Sequence, residues 1–120
     1  MEDIYDVIII GSGPAGLTAG LYTSRAGLKT LCVAGEKWGG QLMLTTLVEN
    51  YPGFPEGIQG PDLMTTMRRQ AEKFGVKMVE EDALDLDFSQ RPFKVNQYSG
   101  RAVIIATGSE FKCWRLPNEQ

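Results

Sequence analysis

Residues 6–16 read DVIIIGSGPAG, and the fold turns on how this stretch is read. Val7 to Ile10 run without a polar break, the pattern of a strand buried on both faces, as in a parallel sheet. Gly11-Ser12-Gly13-Pro14-Ala15-Gly16 follow at once and match G-x-G-x-x-G. Each glycine has a physical task in that pattern. Gly11 lets the chain turn sharply, Gly13 lets a pyrophosphate approach bare backbone, and Gly16 lets the next helix lie close to the strand. Pro14 falls in the first helical turn, where a missing N–H costs nothing. Free N–H groups at the helix start, with the helix dipole behind them, face the phosphates. A glycine pattern alone also fits a mere tight turn. Its position between an apolar strand and an apolar helix favours a dinucleotide site.

Beyond the glycine loop, the spacing of Ala15, Leu17, Ala19, Leu21 and Tyr22 predicts a helix over 14–26, with Gly16 and Gly20 as small residues facing the sheet. Gly27 ends it. Lys29 to Ala34 reads as a second strand, giving a β-α-β unit with a right-handed crossover. Glu36 lies about 20 residues past Gly16, where an acid commonly takes the ribose hydroxyls; a solvated loop carboxylate is the plain alternative. Lys37 and Trp38 follow, and Trp38 reads either as a ligand shield or as an exposed loop residue. Gly39-Gly40-Gln41-Leu42 form a second glycine loop that permits close backbone approach, with Gln41 offering a donor and an acceptor. Thr45 to Asn50 lead into a stiff, turn-rich loop, Tyr51-Pro52-Gly53-Phe54-Pro55.

Gly60-Pro61-Asp62 open the clearest helix, since Pro61 suits its first turn and Asp62 its positive end. Leu63, Met64, Met67, Ala71 and Phe74 share a face, with the methionines read as core filler. Arg68, Arg69 and Lys73 read as solvated, and Gly75 stops the helix. Val76 to Val79 read as a third strand, and Glu80-Glu81-Asp82 as a solvated acidic turn. Leu84, Leu86 and Phe88 alternate with Asp85 and Asp87, which predicts a half-exposed antiparallel strand. Arg91 to Val95 supply its partner and Asn96 to Gly100 a turn. Ala102 to Ala106 read as a further buried strand, ending in Thr107-Gly108 at the carboxyl edge where ligands of open α/β sheets gather. Ser109 to Gln120, with Trp114 and Leu116-Pro117, are polar and irregular.

With 120 residues the chain is one domain at most, or part of one. Its net charge of −3 and lack of a basic block argue against a nucleic-acid partner. No apolar run approaches the length of a membrane span, and the acidic start has no signal-peptide core, so a cytoplasmic protein is expected. There is no histidine, which removes Ser–His–Asp and Cys–His nucleophiles and His-ligated metal sites. The two cysteines, Cys32 and Cys113, form no C-x-x-C pair. Cys32 reads as an inert buried thiol, and a Cys32–Cys113 disulfide is not expected in a reducing compartment.

Four segments taken together carry a resemblance: GSGPAGLTAGLYTSRAG at 11–27, GGQL at 39–42, VENYPGFPEGIQGPDLM at 48–64 and AVIIATG at 102–108. They resemble the start of the low-molecular-weight thioredoxin reductases, FAD-dependent pyridine-nucleotide disulfide oxidoreductases. The resemblance covers nearly the whole chain, and the GGQ and ENYPGFP segments are far more specific than the glycine fingerprint. It implies an α/β fold, an incomplete doubly wound parallel sheet of the FAD/NAD(P)-binding Rossmann-like type with a small β-meander. It also implies a homodimeric flavoenzyme passing electrons from NADPH through FAD and a C-x-x-C disulfide to thioredoxin.

By position, the resemblance assigns Gly11, Ser12, Gly13, Pro14 and Ala15 to the pyrophosphate, while Gly16 keeps the packing task read above. Gly40, Gln41 and Leu42 would meet the ribityl and flavin region, Thr45 and Asn50 the isoalloxazine, backbone around Asp82 and Ala83 the adenine. Ala106, Thr107 and Gly108 would line the cofactor. The family's acidic ribose ligand often stands five residues before the glycine pair, where this chain has Ala34; Glu36 is the substitute. The hairpin between Phe93 and Ala102 is several residues shorter than the family's. Residues 1–120 are expected to be a partial FAD-binding domain, with the NADPH domain and its C-x-x-C absent, and so not to turn over alone. A non-catalytic FAD- or nucleotide-binding module, self-associating or docking through an unfilled sheet edge, is the alternative. An NAD-dependent dehydrogenase fragment is weaker, because it leaves GGQL and ATG without a role.

Overall fold

A computed structural model describes residues 3–108. β1 (Ile4–Ile10) leads through α1 (Pro14–Arg25) to β2 (Thr30–Val33). The long connection that follows holds a 3-10 turn at Gly40–Leu44 and a short antiparallel pair, β3 (Leu47–Val48) and β4 (Ile58–Gln59). Then come α2 (Gly60–Lys73), β5 (Lys77–Val79), β6 (Leu86–Asp87), β7 (Phe93–Val95) and β8 (Tyr98–Ile105). The main sheet runs β5-β2-β1-β8-β7-β6. Its first four strands are parallel and its last three form an antiparallel meander, so β8 belongs to both. This is the α/β architecture expected from residues 6–34.

The apolar run sets the centre. Val7 to Ile10 and all of β2 are buried. Ile8 and Ile9 are fully buried, each removing a side chain from water at a gain of roughly 1.5–3 kcal/mol. Val7, Ile9 and Cys32 share one core with Leu17 of α1 and Met64 and Ala71 of α2, so both helices cover the same face. α1 can lie this close because Gly20 stands against Ile9 and Val76, where even a methyl would meet Val76 Cγ2 at 3.1 Å. On the opposite face Tyr5, Ile8, Ile10, Leu31 and Val33 cluster with Val95, and with Ala83 and Tyr98 at the margin.

Several elements differ from the sequence reading. β8 begins at Tyr98, not Ala102, and the turn before it shrinks to Asn96 and Gln97, with Asn96 left-handed at φ +51°. Tyr98–Gly100 gain two partners at once: antiparallel pairing to Phe93–Val95, and parallel pairing of Ser99 and Gly100 to Ile4 and Tyr5. Beyond Gly100 the outer edge of β8 faces no strand among the described residues. Val103 and Ile104 are therefore only half-buried and Ile105 is 65% exposed, where full burial was expected.

The strand expected over 84–88 reduces to Leu86–Asp87, both exposed. The Asn96 side chain accounts for this, because its Oδ1 accepts from the N–H of Leu84 (2.9 Å) and of Asp85 (3.1 Å). Those amides are thereby withdrawn from a strand ladder.

Several charged residues read as solvated are engaged instead, although Arg69 is exposed as expected. Arg68 pairs with Glu80 (2.9 Å) and Glu72 (3.4 Å), and its guanidinium lies 4.6 Å from the Trp38 ring centre. Trp38 is thus half-buried on the core under a cation. Glu81 accepts from Asn96 Nδ2 (3.0 Å) and the Tyr98 hydroxyl (3.1 Å). Phe74, expected on the buried face of α2, is an exposed C-cap residue covered by Arg25 and Lys73. Cys32 is a free, buried thiol. Cys113, Trp114 and Leu116-Pro117 lie outside the described residues.

Candidate dinucleotide-binding site

The carboxyl ends of β1, β2 and β8 meet at the first glycine loop. Gly11 N–H donates to the Val33 carbonyl (3.0 Å), and Ala106 N–H donates to the Ile10 carbonyl (2.8 Å). Gly11 sits at φ +113°, and a β-carbon there would overlap the Ala106 carbonyl. A β-carbon on Gly16 would likewise overlap the Gly11 carbonyl. These two glycines are therefore demanded by close backbone approach, as the motif requires. Gly13 differs, since a β-carbon on it would meet nothing within 4 Å. Its bare backbone faces open space at the N-cap of α1, which has no side-chain cap. The N–H groups of Gly13, Ala15 and Gly16 thus stand at a helix start without a capping oxygen, the arrangement that receives an anion.

That space is a hollow of about 260 Å³ lined by Gly11, Ser12, Gly13, Pro14, Ala34, Lys37, Gly40, Gln41, Leu42, Ala106, Thr107 and Gly108. Three separate stretches of sequence contribute. Gly40 closes one side, because its β-carbon position lies 3.7 Å from Gly13 Cα. Ser12 joins the walls: its buried hydroxyl donates to the Ala34 carbonyl (2.8 Å) and accepts from Gly39 N–H (2.8 Å). Its side chain holds the loops together, and only its backbone is left for a phosphate. Cys32 lies beneath, its Sγ 3.4 Å from the Gly11 carbonyl, with burial pushing the thiol up to about 12.

Ten of the residues singled out from sequence line this hollow: Gly11, Ser12, Gly13, Pro14, Gly40, Gln41, Leu42, Ala106, Thr107 and Gly108. Gly16 lies behind it. Glu36 and Asp82 come together beside it, where Asp82 Oδ1 accepts from Glu36 N–H (2.9 Å), and Ala83 follows at the margin of the second core. Thr45 is exposed, with its hydroxyl on the Leu42 carbonyl (3.1 Å), and Asn50 is exposed on the loop between β3 and β4. Neither lines the hollow. Ala34 and Lys37 line it without having been singled out as ligands; the cue for Lys37 was a cation two residues before a glycine pair.

A larger hollow of about 310 Å³ lies away from the glycine loops, among Ile4, Asp87, Gln90, Arg91, Pro92, Lys94 and Ser99. Several of its polar groups are already engaged. Ser89 donates its hydroxyl (2.6 Å) and its amide (3.0 Å) to Asp87, which holds that carboxyl below its usual range. Lys94 reaches the Ser99 hydroxyl (2.9 Å), and Arg91 covers the Phe93 ring. Of the two, the glycine-lined hollow is the one that presents uncapped helical donors to a ligand. Among the described residues no group of acidic, cysteine or histidine side chains is placed to hold a metal, and no helix is long and apolar enough to cross a membrane.

Known proteins share this sequence and fold. A family model for pyridine nucleotide-disulphide oxidoreductases matches residues 5–120. A thioredoxin reductase of Rickettsia bellii is 50% identical over 119 residues, covering 95% of this chain and 38% of that protein. One from Streptomyces coelicolor is 50% identical over 125 residues, covering 99% and 39%. The solved thioredoxin reductase of Giardia duodenalis superposes with a TM-score of 0.83 at 43% identity, over 89% of this chain and 36% of that one. The chain thus spans little more than a third of the length of these relatives. A fold built on the strand and glycine loop of residues 6–16, with the matching sequence around it, places the chain in the pyridine nucleotide-disulphide oxidoreductase family.

Proposed function

We propose that these residues are the FAD-binding portion of a thioredoxin-reductase-like flavoprotein. One observation carries the reading: the bare backbone of Gly13, at an uncapped helix start, opens into a hollow walled by two further loops. The residues fit the group. Backbone of Ser12, Gly13 and Ala15 would hold its diphosphate, Gly40, Gln41 and Leu42 its ribityl side, and Ala106 to Gly108 its flank. Asp82, Ala83 and Glu36 would serve the adenosine end, and Thr45 and Asn50 the ring end. The flavin supplies the electron-carrying ring, and the chain supplies binding and orientation.

In the whole protein, electrons would pass from NADPH to the flavin, then to a disulfide and to a thioredoxin-like acceptor in the cytoplasm. Cys32 and Cys113 form no C-x-x-C, so turnover is not assigned to these 120 residues. The test is titration of the chain with FAD, followed by flavin fluorescence and visible absorbance. Saturable binding with preference over NAD is expected; preference for NAD, or no binding, overturns the reading.

A second reading, self-association into a homo-oligomer, is favoured by the outer edge of β8. Exposed edges recruit other strands; among the described residues none pairs with this edge beyond Gly100, where Ile105 is 65% exposed. Light scattering is expected to give more than one chain per particle, with Ile105→Lys shifting it toward the monomer. A monomer at all concentrations overturns this.

A further inference from the structure

Lys37 is the one charged side chain among the residues lining the glycine-walled hollow. We propose that its ammonium is the counter-cation of the bound dinucleotide's diphosphate, a ligand contact additional to the backbone N–H groups. This rests on the FAD reading of the same hollow.

Three observations carry it. First, Lys37 has no carboxylate partner among the described residues. Lys29, Arg68 and Arg101 pair with Asp3, Glu80 and Asp6, while Arg25, Lys73 and Arg91 cover aromatic rings. Second, the segment bearing Lys37 is pinned on either side. Gly35 N–H donates to the Glu81 carbonyl (3.0 Å), Glu36 N–H to Asp82 (2.9 Å) and Gly39 N–H to Ser12 (2.8 Å). Trp38 is wedged between the core and Arg68. The lysine is therefore held at the rim and not carried on a free loop. Third, no carboxylate lines the hollow, and the residue that follows β2 there is Ala34. In a chain of net charge −3, a lone cation beside uncapped helical N–H groups is a local feature, not a general basic character. A lysine meets phosphate as a point charge on a flexible stem, which suits a rim position.

The experiment measures FAD and ADP affinity of the full 120-residue chain by titration at low and high salt, for Lys37→Gln, Lys37→Arg and Lys77→Gln. Lys77 is an exposed cation on β5 outside the hollow and serves as the control for net charge. Lys37→Gln is expected to weaken both ligands about three- to tenfold at low salt and to flatten the salt dependence, because an exposed charge pair is screened at high ionic strength. Lys37→Arg should retain affinity, and Lys77→Gln should change it by less than about twofold. Unchanged affinity and salt slope in Lys37→Gln, or an equal loss in Lys77→Gln, overturns the lysine assignment while leaving the site intact. Failure of the unaltered chain to bind either ligand overturns the site and the lysine together.

Discussion

Ser12 and Cys32 show how single side chains hold the first glycine loop in shape. The Ser12 hydroxyl satisfies the Ala34 carbonyl and the Gly39 N–H at once, and it is buried while doing so. Ser12→Ala removes both bonds and leaves a buried donor unmatched, so a loss of about 1–3 kcal/mol is expected in urea unfolding. Cys32 is governed by burial, which raises its thiol from 9.0 to about 12, with Arg68 pulling weakly the other way. The neutral thiol is the folded form, whereas the unfolded chain loses that proton above about pH 9. Stability from this group is therefore complete below pH 9 and falls by roughly 1.4 kcal/mol per pH unit toward pH 12. Between pH 8 and pH 10.5, the native chain should lose about 2 kcal/mol more than Cys32→Val. Equal losses in parallel urea titrations would show that the thiol is not shielded.

At the scale of elements, α2 is fastened to the site by Arg68, not only by its apolar face. This arginine spans Glu72 on its own helix, Glu80 after β5 and the Trp38 ring beside the second glycine loop. Arg68→Met keeps the stem but removes the charge. About 1 kcal/mol should be lost, from two partly exposed ion pairs and one cation–ring contact. Trp38 emission should shift as its cover goes, measured with Trp114→Phe to leave one reporter; an unmoved spectrum would refute the contact. Sequence could not reveal this tie, because periodicity reports which residues face a core and is silent on which charges meet across loops. Asn96 was opaque for the same reason. Its two amide atoms fix residues 81–85 from more than ten positions away, shortening one strand, while its left-handed turn lets the next begin early. By contrast β1, α1, β2 and the glycine loop were legible. Their determinants are local: an unbroken apolar run, a glycine at each close approach and a proline where no N–H is needed.

At the scale of the molecule, the hollow depends on residues far apart in the chain. Residues 11–14, 34–42 and 106–108 meet only because β1 lies between β2 and β8 in parallel register, with Ile10 opposite both Val33 and Ile105. A ligand bridging these three loops touches the folded state alone, since the unfolded chain holds no such juxtaposition. Binding energy therefore adds to the stability of the whole sheet, by about 2.7 kcal/mol when free ligand is a hundred times its dissociation constant. For a chain of this size that corresponds to a rise in melting temperature of roughly 10 °C or more. FAD is expected to produce the rise, and ADP a smaller one, because on the proposed reading it would reach only the first glycine loop and the adenosine end. Riboflavin, which lacks the phosphates, should produce little. That ranking would isolate the diphosphate as the dominant contact. If riboflavin stabilised the chain as well as FAD does, the hollow would be recognising a ring and not an anion, and the uncapped start of α1 would no longer be the seat of binding.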